Sequence, residues 1–75
     1  MKLTRVRFER SVLVEVEKPR LQEVWDKQFN KWDELVVETY EEAGNFANLH
    51  DLEGNVYWNV PRNSFIFLKE NPRPF

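Results

Sequence analysis

From Val6 to Val16 the chain alternates with a period of two. The even positions read Val6, Phe8, Arg10, Val12, Val14, Val16, and the odd ones Arg7, Glu9, Ser11, Leu13, Glu15. Successive side chains of a strand point to opposite faces, so this pattern marks an extended segment with one buried face. No other feature narrows the fold as much. Arg10 interrupts the apolar side and Leu13 the polar side, and eleven residues exceed the usual strand length. A bend or bulge near Arg10–Ser11 accounts for both.

The 75 residues contain no cysteine. Disulfides and thiolate metal sites are therefore excluded, and a cytoplasmic setting is expected, because secreted domains of this size usually carry several cysteines. No apolar run reaches the roughly 20 residues of a membrane span, and "MKLTRVRFER" lacks the apolar block of a signal peptide. Side chains alone must supply the core. Six Phe, three Trp and two Tyr are available for it, each able to bury on the order of 150–250 Å². That is more aromatic surface than so short a chain hides, which predicts exposed aromatics at an interaction site.

Further along, Lys18 to Glu34 reads two ways. Leu21, Trp25, Phe29, Trp32 and Val36 recur at helical spacing, with Glu23 and Lys27 as an i,i+4 pair and Pro19 suited to a first helical turn. Val36, Val37, Thr39 and Tyr40 favour a strand. We expect a long loop or short helix at about 19–33 followed by a strand from Leu35 to Tyr40. The alternative is an α+β fold with one helix over 19–43, capped by Gly44 and packed on a small antiparallel sheet. Beyond it, Phe46 to His50 and Asn55 to Val60 form a hairpin turning at Gly54. Pro61 stops the second strand because it lacks an amide hydrogen. "PRNS" reads as a tight or 3₁₀ turn before a last strand, Phe65 to Leu68. Residues 1–68 are expected as one β-rich domain and 69–75, with two prolines, as an extended tail.

Val60-Pro61-Arg62-Asn63-Ser64-Phe65 resembles the end of eukaryotic SH3 domains, where a strand enters a Pro-containing 3₁₀ turn and a short final strand. The resemblance implies a mainly β fold, a small SH3-like five-stranded barrel. "VRFERSV" lacks the aromatic-acidic motif that lines the SH3 peptide groove, so polyproline binding is not implied. Barrels of this shape serve many functions, and fold does not supply one.

Enzyme signatures are missing. The single histidine, His50, adjoins Asp51, but no nucleophile is tied to the pair. The acids follow no calcium or zinc spacing, and two glycines make no phosphate loop. No cofactor and no metal are expected.

Charge is segregated along the chain. Trp32 to Pro61 holds seven acids and no Lys or Arg, while the remainder holds all eleven basic residues and six acids. One acidic and one basic face are the simplest expectation, an arrangement suited to steering a partner. Strict alternation puts Val56, Trp58 and Val60 on the core face and Tyr57 and Asn59 outside. The predicted protein-interaction surface is thus Tyr57, Trp25 and Trp32 with Glu38 and Arg62, since Trp and Tyr anchor interfaces. This makes the chain a non-enzymatic protein-binding module, a regulator or inhibitor of a partner protein of the kind phages and mobile elements carry. The alternative is a single-stranded nucleic-acid binder using Arg5, Arg7, Arg10 and Arg62, against a pI of about 5.4. Open strand edges also allow pairing with a second copy.

Overall fold

A computed structural model describes residues 3–68. Eight strands follow one another: β1 (Thr4–Phe8), β2 (Val12–Lys18), β3 (Glu23–Phe29), β4 (Glu34–Val37), β5 (Thr39–Ala43), β6 (Phe46–His50), β7 (Val56–Pro61) and, after the 3₁₀ turn η1 (Arg62–Ser64), β8 (Phe65–Leu68). They form two antiparallel sheets, one of three strands in the order β4-β1-β8 and one of five in the order β3-β2-β7-β6-β5. The mainly β expectation holds. The five-stranded barrel does not: the described residues form eight strands, and their sheets are not closed into a barrel, since neither edge of one is laddered to an edge of the other. Side chains close one of the gaps instead, with Tyr40 of β5 packing its ring 4.6 Å from that of Phe67 on β8.

The alternating run of Val6 to Val16 belongs to two strands in different sheets. Its bend falls at Glu9–Ser11, where Arg10 turns out to solvent and donates to Asn63 Oδ1 at 2.8 Å. That bend explains the apparent break in pattern. The expected strand Leu35–Tyr40 also divides, into β4 and β5, at Glu38, whose amide donates to the His50 carbonyl.

Neither the loop or short helix over 19–33 nor the helix over 19–43 forms. Pro19 sits at the second position of a β-turn in which the Leu21 amide donates to the Lys18 carbonyl, a place that suits its fixed φ. The chain then returns as β3, paired residue for residue with β2 from Lys18↔Glu23 to Val12↔Phe29. Helical spacing misled here because only Phe29 of the apolar set Leu21, Trp25, Phe29, Trp32 and Val36 is buried. Gly44, expected as a helix cap, is the first central residue of the two-residue β5–β6 turn, with φ +62, where Gly is favoured. The later elements match expectation: the β6–β7 hairpin with Gly54 at φ +84, the η1 turn and the short β8. The expected tail, 69–75, lies outside the described residues.

One core joins the sheets. Val6, Phe8, Val14, Val16, Phe29, Val37, Ala47, Leu49, Tyr57, Val60 and Phe65 are buried together. Phe8 and Phe29 stack with centroids 4.2 Å apart, and Phe65 and Tyr57 tilt against them. Offset and tilted ring pairs of this kind add to the burial itself.

Candidate functional site

Register and burial together assign each strand residue to a face. On the five-stranded sheet the inward residues include Val14, Val16, Leu49, Ala47, Tyr57 and Val60. Their neighbours point outward: Leu13, Glu15 and Glu17 on β2, Val24, Asp26 and Gln28 on β3, Thr39 and Glu41 on β5, Asn48 and His50 on β6, and Val56 and Trp58 on β7. Among the described residues this outer face carries four carboxylates, Glu15, Glu17, Asp26 and Glu41, and no Lys or Arg. Leu13, Val24 and Phe46 stand exposed among them. Trp58, partly buried, lies opposite Glu15 in the ladder, and its indole N–H donates to Glu17 Oε1 at 3.1 Å. The one titratable nitrogen on this face, His50 Nε2, sits 3.0 Å from both Glu41 carboxylate oxygens. His50 is thus a cross-strand partner of Glu41 rather than of its neighbour Asp51.

The opposite assignment of Tyr57 and Trp58 is the main correction to the predicted site. Tyr57 is only 6% exposed, while Trp58 faces out. A β-bulge is the cause. Ala47 pairs with Val60 and Leu49 with Tyr57, so Asn48 alone opposes Trp58 and Asn59. Asn59 takes φ +52, and its amide donates to Asn48 Oδ1 at 2.9 Å. The extra residue breaks strict alternation and turns Tyr57 and Val60, three apart, both inward.

Asp51 fixes the adjacent hairpin. Its Oδ1 accepts the amides of Glu53 and Asn55, and its Oδ2 accepts the Asn55 amide side chain and the Tyr57 hydroxyl. Burial alone would push the Asp51 carboxyl up. The hydrogen bonds together outweigh it and hold the group below the usual carboxylate range. Burial, then the hydrogen bond to Asp51 and the charges of Asp51 and Glu53, push the Tyr57 hydroxyl well above its ordinary value. Tyr57 is a structural side chain, not a contact surface.

The three-stranded sheet has a different outer face. Arg5 and Arg7 of β1 point out there, flanked by Val36 and Glu34 of β4 and by Leu68 and Ile66 of β8. Trp32 covers it. Trp32 is 59% exposed, with Arg7 Cζ 5.1 Å and Lys31 Nζ 5.0 Å from its ring centroid. Trp32 is the third residue of the turn Asn30–Asp33 and has φ +80, a conformation rare for an aromatic residue. Arg5 lies 3.6 Å from Glu34, and Arg7 Nε is buried without a hydrogen-bond partner among the described residues.

The remaining predicted residues are scattered. Trp25 is exposed on β3, with Lys18 Nζ 4.9 Å from its ring. Glu38 is exposed at the β4–β5 bend. Arg62 is bound to Glu42 at 2.7 Å and lies over the rings of Phe65 and Phe67. No hydrogen bond, ion pair or ring contact joins any two of Tyr57, Trp25, Trp32, Glu38 and Arg62 among the described residues. Of the four predicted nucleic-acid residues, Arg5 and Arg7 share a face, whereas Arg10 and Arg62 line a separate surface groove with Phe46 and Pro61. Sequence reasoning missed Trp58, Glu15, Glu17 and Asp26. The alternation of β2 already placed Glu15 beside Leu13 on an outer face, and only the bulge hid Trp58.

No helix among the described residues is long and apolar enough to cross a membrane. No group of three or more His, Asp or Glu side chains among them is placed to hold a metal ion. No protein-family model, curated protein or solved structure matches the chain.

Proposed function

We propose that this protein is a non-enzymatic protein-binding module whose partner docks on the outer face of the five-stranded sheet and carries a basic surface. The observation that carries the reading is the setting of Trp58. It is an aromatic side chain on a face that carries Glu15, Glu17, Asp26 and Glu41 and exposed Leu13 and Val24, with no Lys or Arg among the described residues of that face. A large aromatic anchor within a charged rim is the usual anatomy of an interface, and the uniform sign favours a cationic partner. A regulatory or inhibitory role, a cytoplasmic setting and an SH3-like relationship belong to the same proposal. The absence of cysteine supports the setting, and the β7–η1–β8 ending supports the relationship.

A second reading rests on Trp32. An exposed indole near Arg7 and Lys31, with Arg5 on the same sheet face, suits base stacking beside phosphates. Capture from host lysate, with and without nuclease, separates the two. The first reading expects a nuclease-resistant protein band that is lost with Trp58→Ala and with Glu15→Lys/Asp26→Lys, and kept with Arg5→Ala/Arg7→Ala. Recovery of nucleic acid that disappears with Arg5→Ala/Arg7→Ala overturns it.

A further inference from the structure

Strand β3 is an edge strand of seven residues, six of them exposed, and β2 is its only strand partner among the described residues. Its other side presents backbone amides and carbonyls that no described strand pairs. Natural edges are usually short, bent or guarded by charge, because an open edge is a template for another strand. β3 carries exposed apolar side chains on both faces, Val24 (63% exposed) on one and Trp25 (52%) on the other. We infer that β3 pairs with β3 of a second copy of this chain, antiparallel about a two-fold axis through Trp25, joining two five-stranded sheets into one.

The register follows from the charges. In a two-fold antiparallel pair, opposed residues share a face, so their numbers must sum to an even value. With the axis at Trp25, Trp25 faces Trp25, Glu23 faces Lys27 twice, and Val24 faces Asp26 twice. Two opposite-charge pairs then bracket an aromatic pair on one face of the ladder. Moving the axis to Asp26 sets that carboxylate against itself. Moving it to Val24 sets Glu23 against Trp25 and leaves Lys27 opposite the β2–β3 turn. Directly opposed like charges destabilise, and opposite charges and aromatic pairs stabilise, so the Trp25 axis is favoured over its neighbours.

The residues now occupy provisional partners within one chain. Trp25 Nε1 donates to Glu23 Oε2 at 2.6 Å, and Lys18 lies over the indole. Lys27 points to the core side of the sheet, opposite Val14, where a charge normally guards an edge against pairing. In this register the guard meets Glu23 of the second copy, so it admits one partner and refuses shifted ones. The other edge of the five-stranded sheet, β5, offers no such match. It carries Glu41 and Glu42 side by side and no cation. This inference concerns the backbone edge of β3, and the Glu23 and Lys27 variants that test it leave Glu15, Glu17, Asp26 and Trp58 of the outer face unchanged.

Sedimentation velocity from micromolar to millimolar protein tests it. The expected result is a reversible rise from 9.1 kDa toward twice that mass. Glu23→Lys and Lys27→Glu should each weaken the dimer about tenfold, from two cross-strand pairs each changed by several tenths of a kcal/mol, and the double swap should restore it to within a few-fold of wild type. A chain that stays monomeric at millimolar concentration overturns the inference and leaves the edge to a foreign strand. A double swap as weak as either single also overturns it. Cysteine cross-linking reads the register directly, since the chain has no cysteine of its own. A mixture of Val24→Cys and Asp26→Cys proteins should form disulfide dimers faster than either alone, and equal rates would refute the Trp25 axis.

Discussion

The Tyr57 hydroxyl donates a 2.9 Å hydrogen bond to Asp51 Oδ2 and so ties the floor of the core to the β6–β7 turn. Removing it with Tyr57→Phe should lower stability by about 1 kcal/mol. Asp51→Ala, which also strands the amides of Glu53 and Asn55, should cost more. Urea unfolding monitored by tryptophan fluorescence would rank the two.

The same pair sets a pH dependence at both ends. The Asp51 carboxyl is held below its unfolded value, so its contribution is present above about pH 4 and lost as pH falls through the folded pKa. The Tyr57 hydroxyl is raised above 10.0, so its contribution is present below pH 10 and lost as pH rises further. Thermal melts from pH 2 to 11 should show both flanks. Asp51→Asn should flatten the acid one, and Tyr57→Phe the alkaline one.

Asn59 is the hinge of the bulge. A β-branched residue resists its φ of +52, and Asn59→Val should destabilise by roughly 1–2 kcal/mol. Asn59→Gly should be close to neutral. Chemical denaturation of the two variants checks this. Equal losses would mean that the bulge does not depend on that conformation.

Trp32 holds a φ of +80 that glycine adopts freely. Trp32→Gly should therefore leave stability within about 1 kcal/mol of wild type while removing the ring beside Arg7 and Lys31. Stability and oligonucleotide affinity measured on the same variant separate backbone relief from a lost stacking platform. Unchanged affinity would retire the nucleic-acid reading.

Phe8 is fully buried and stacked on Phe29. Phe8→Ala should cost about 3–5 kcal/mol, a large part of the stability of so small a domain. Trp58→Ala, at the partly exposed outer face, should cost less. Calorimetry of both variants tests whether Trp58 is retained for contact more than for packing.

Where pattern and pairing agreed, the fold was legible in the sequence. The β6–β7 hairpin, the stop at Pro61, the η1 turn and β8 all follow from local residue chemistry, because Gly54 and Pro61 act within a few residues. The β3 strand was not legible. Leu21, Trp25, Phe29 and Trp32 follow a helical repeat, and only the ladder to β2, a tertiary fact, shows that Trp25 and Phe29 belong to a strand. The site failed in a similar way. One inserted residue at Trp58–Asn59 reverses the faces beyond it, and nothing in the local composition announces a bulge except an Asn, which tolerates positive φ. The acidic outer face draws only Glu41 from the acid-rich run between Trp32 and Pro61. Glu15, Glu17 and Asp26 come from outside the acidic middle of the chain and join it only through sheet order.

The three-stranded sheet is assembled from distant parts of the chain. Arg5 of β1 is laddered to Val36 on one side and to Leu68 on the other, so the first strand cannot complete its hydrogen bonds until the last has been synthesised. Until β8 is present, β1 has β4 as its only neighbour in that sheet. Pairings of such long sequence separation also slow the search for the native state. Fragments that stop before β8 should be unable to hold even the N-terminal strand in place.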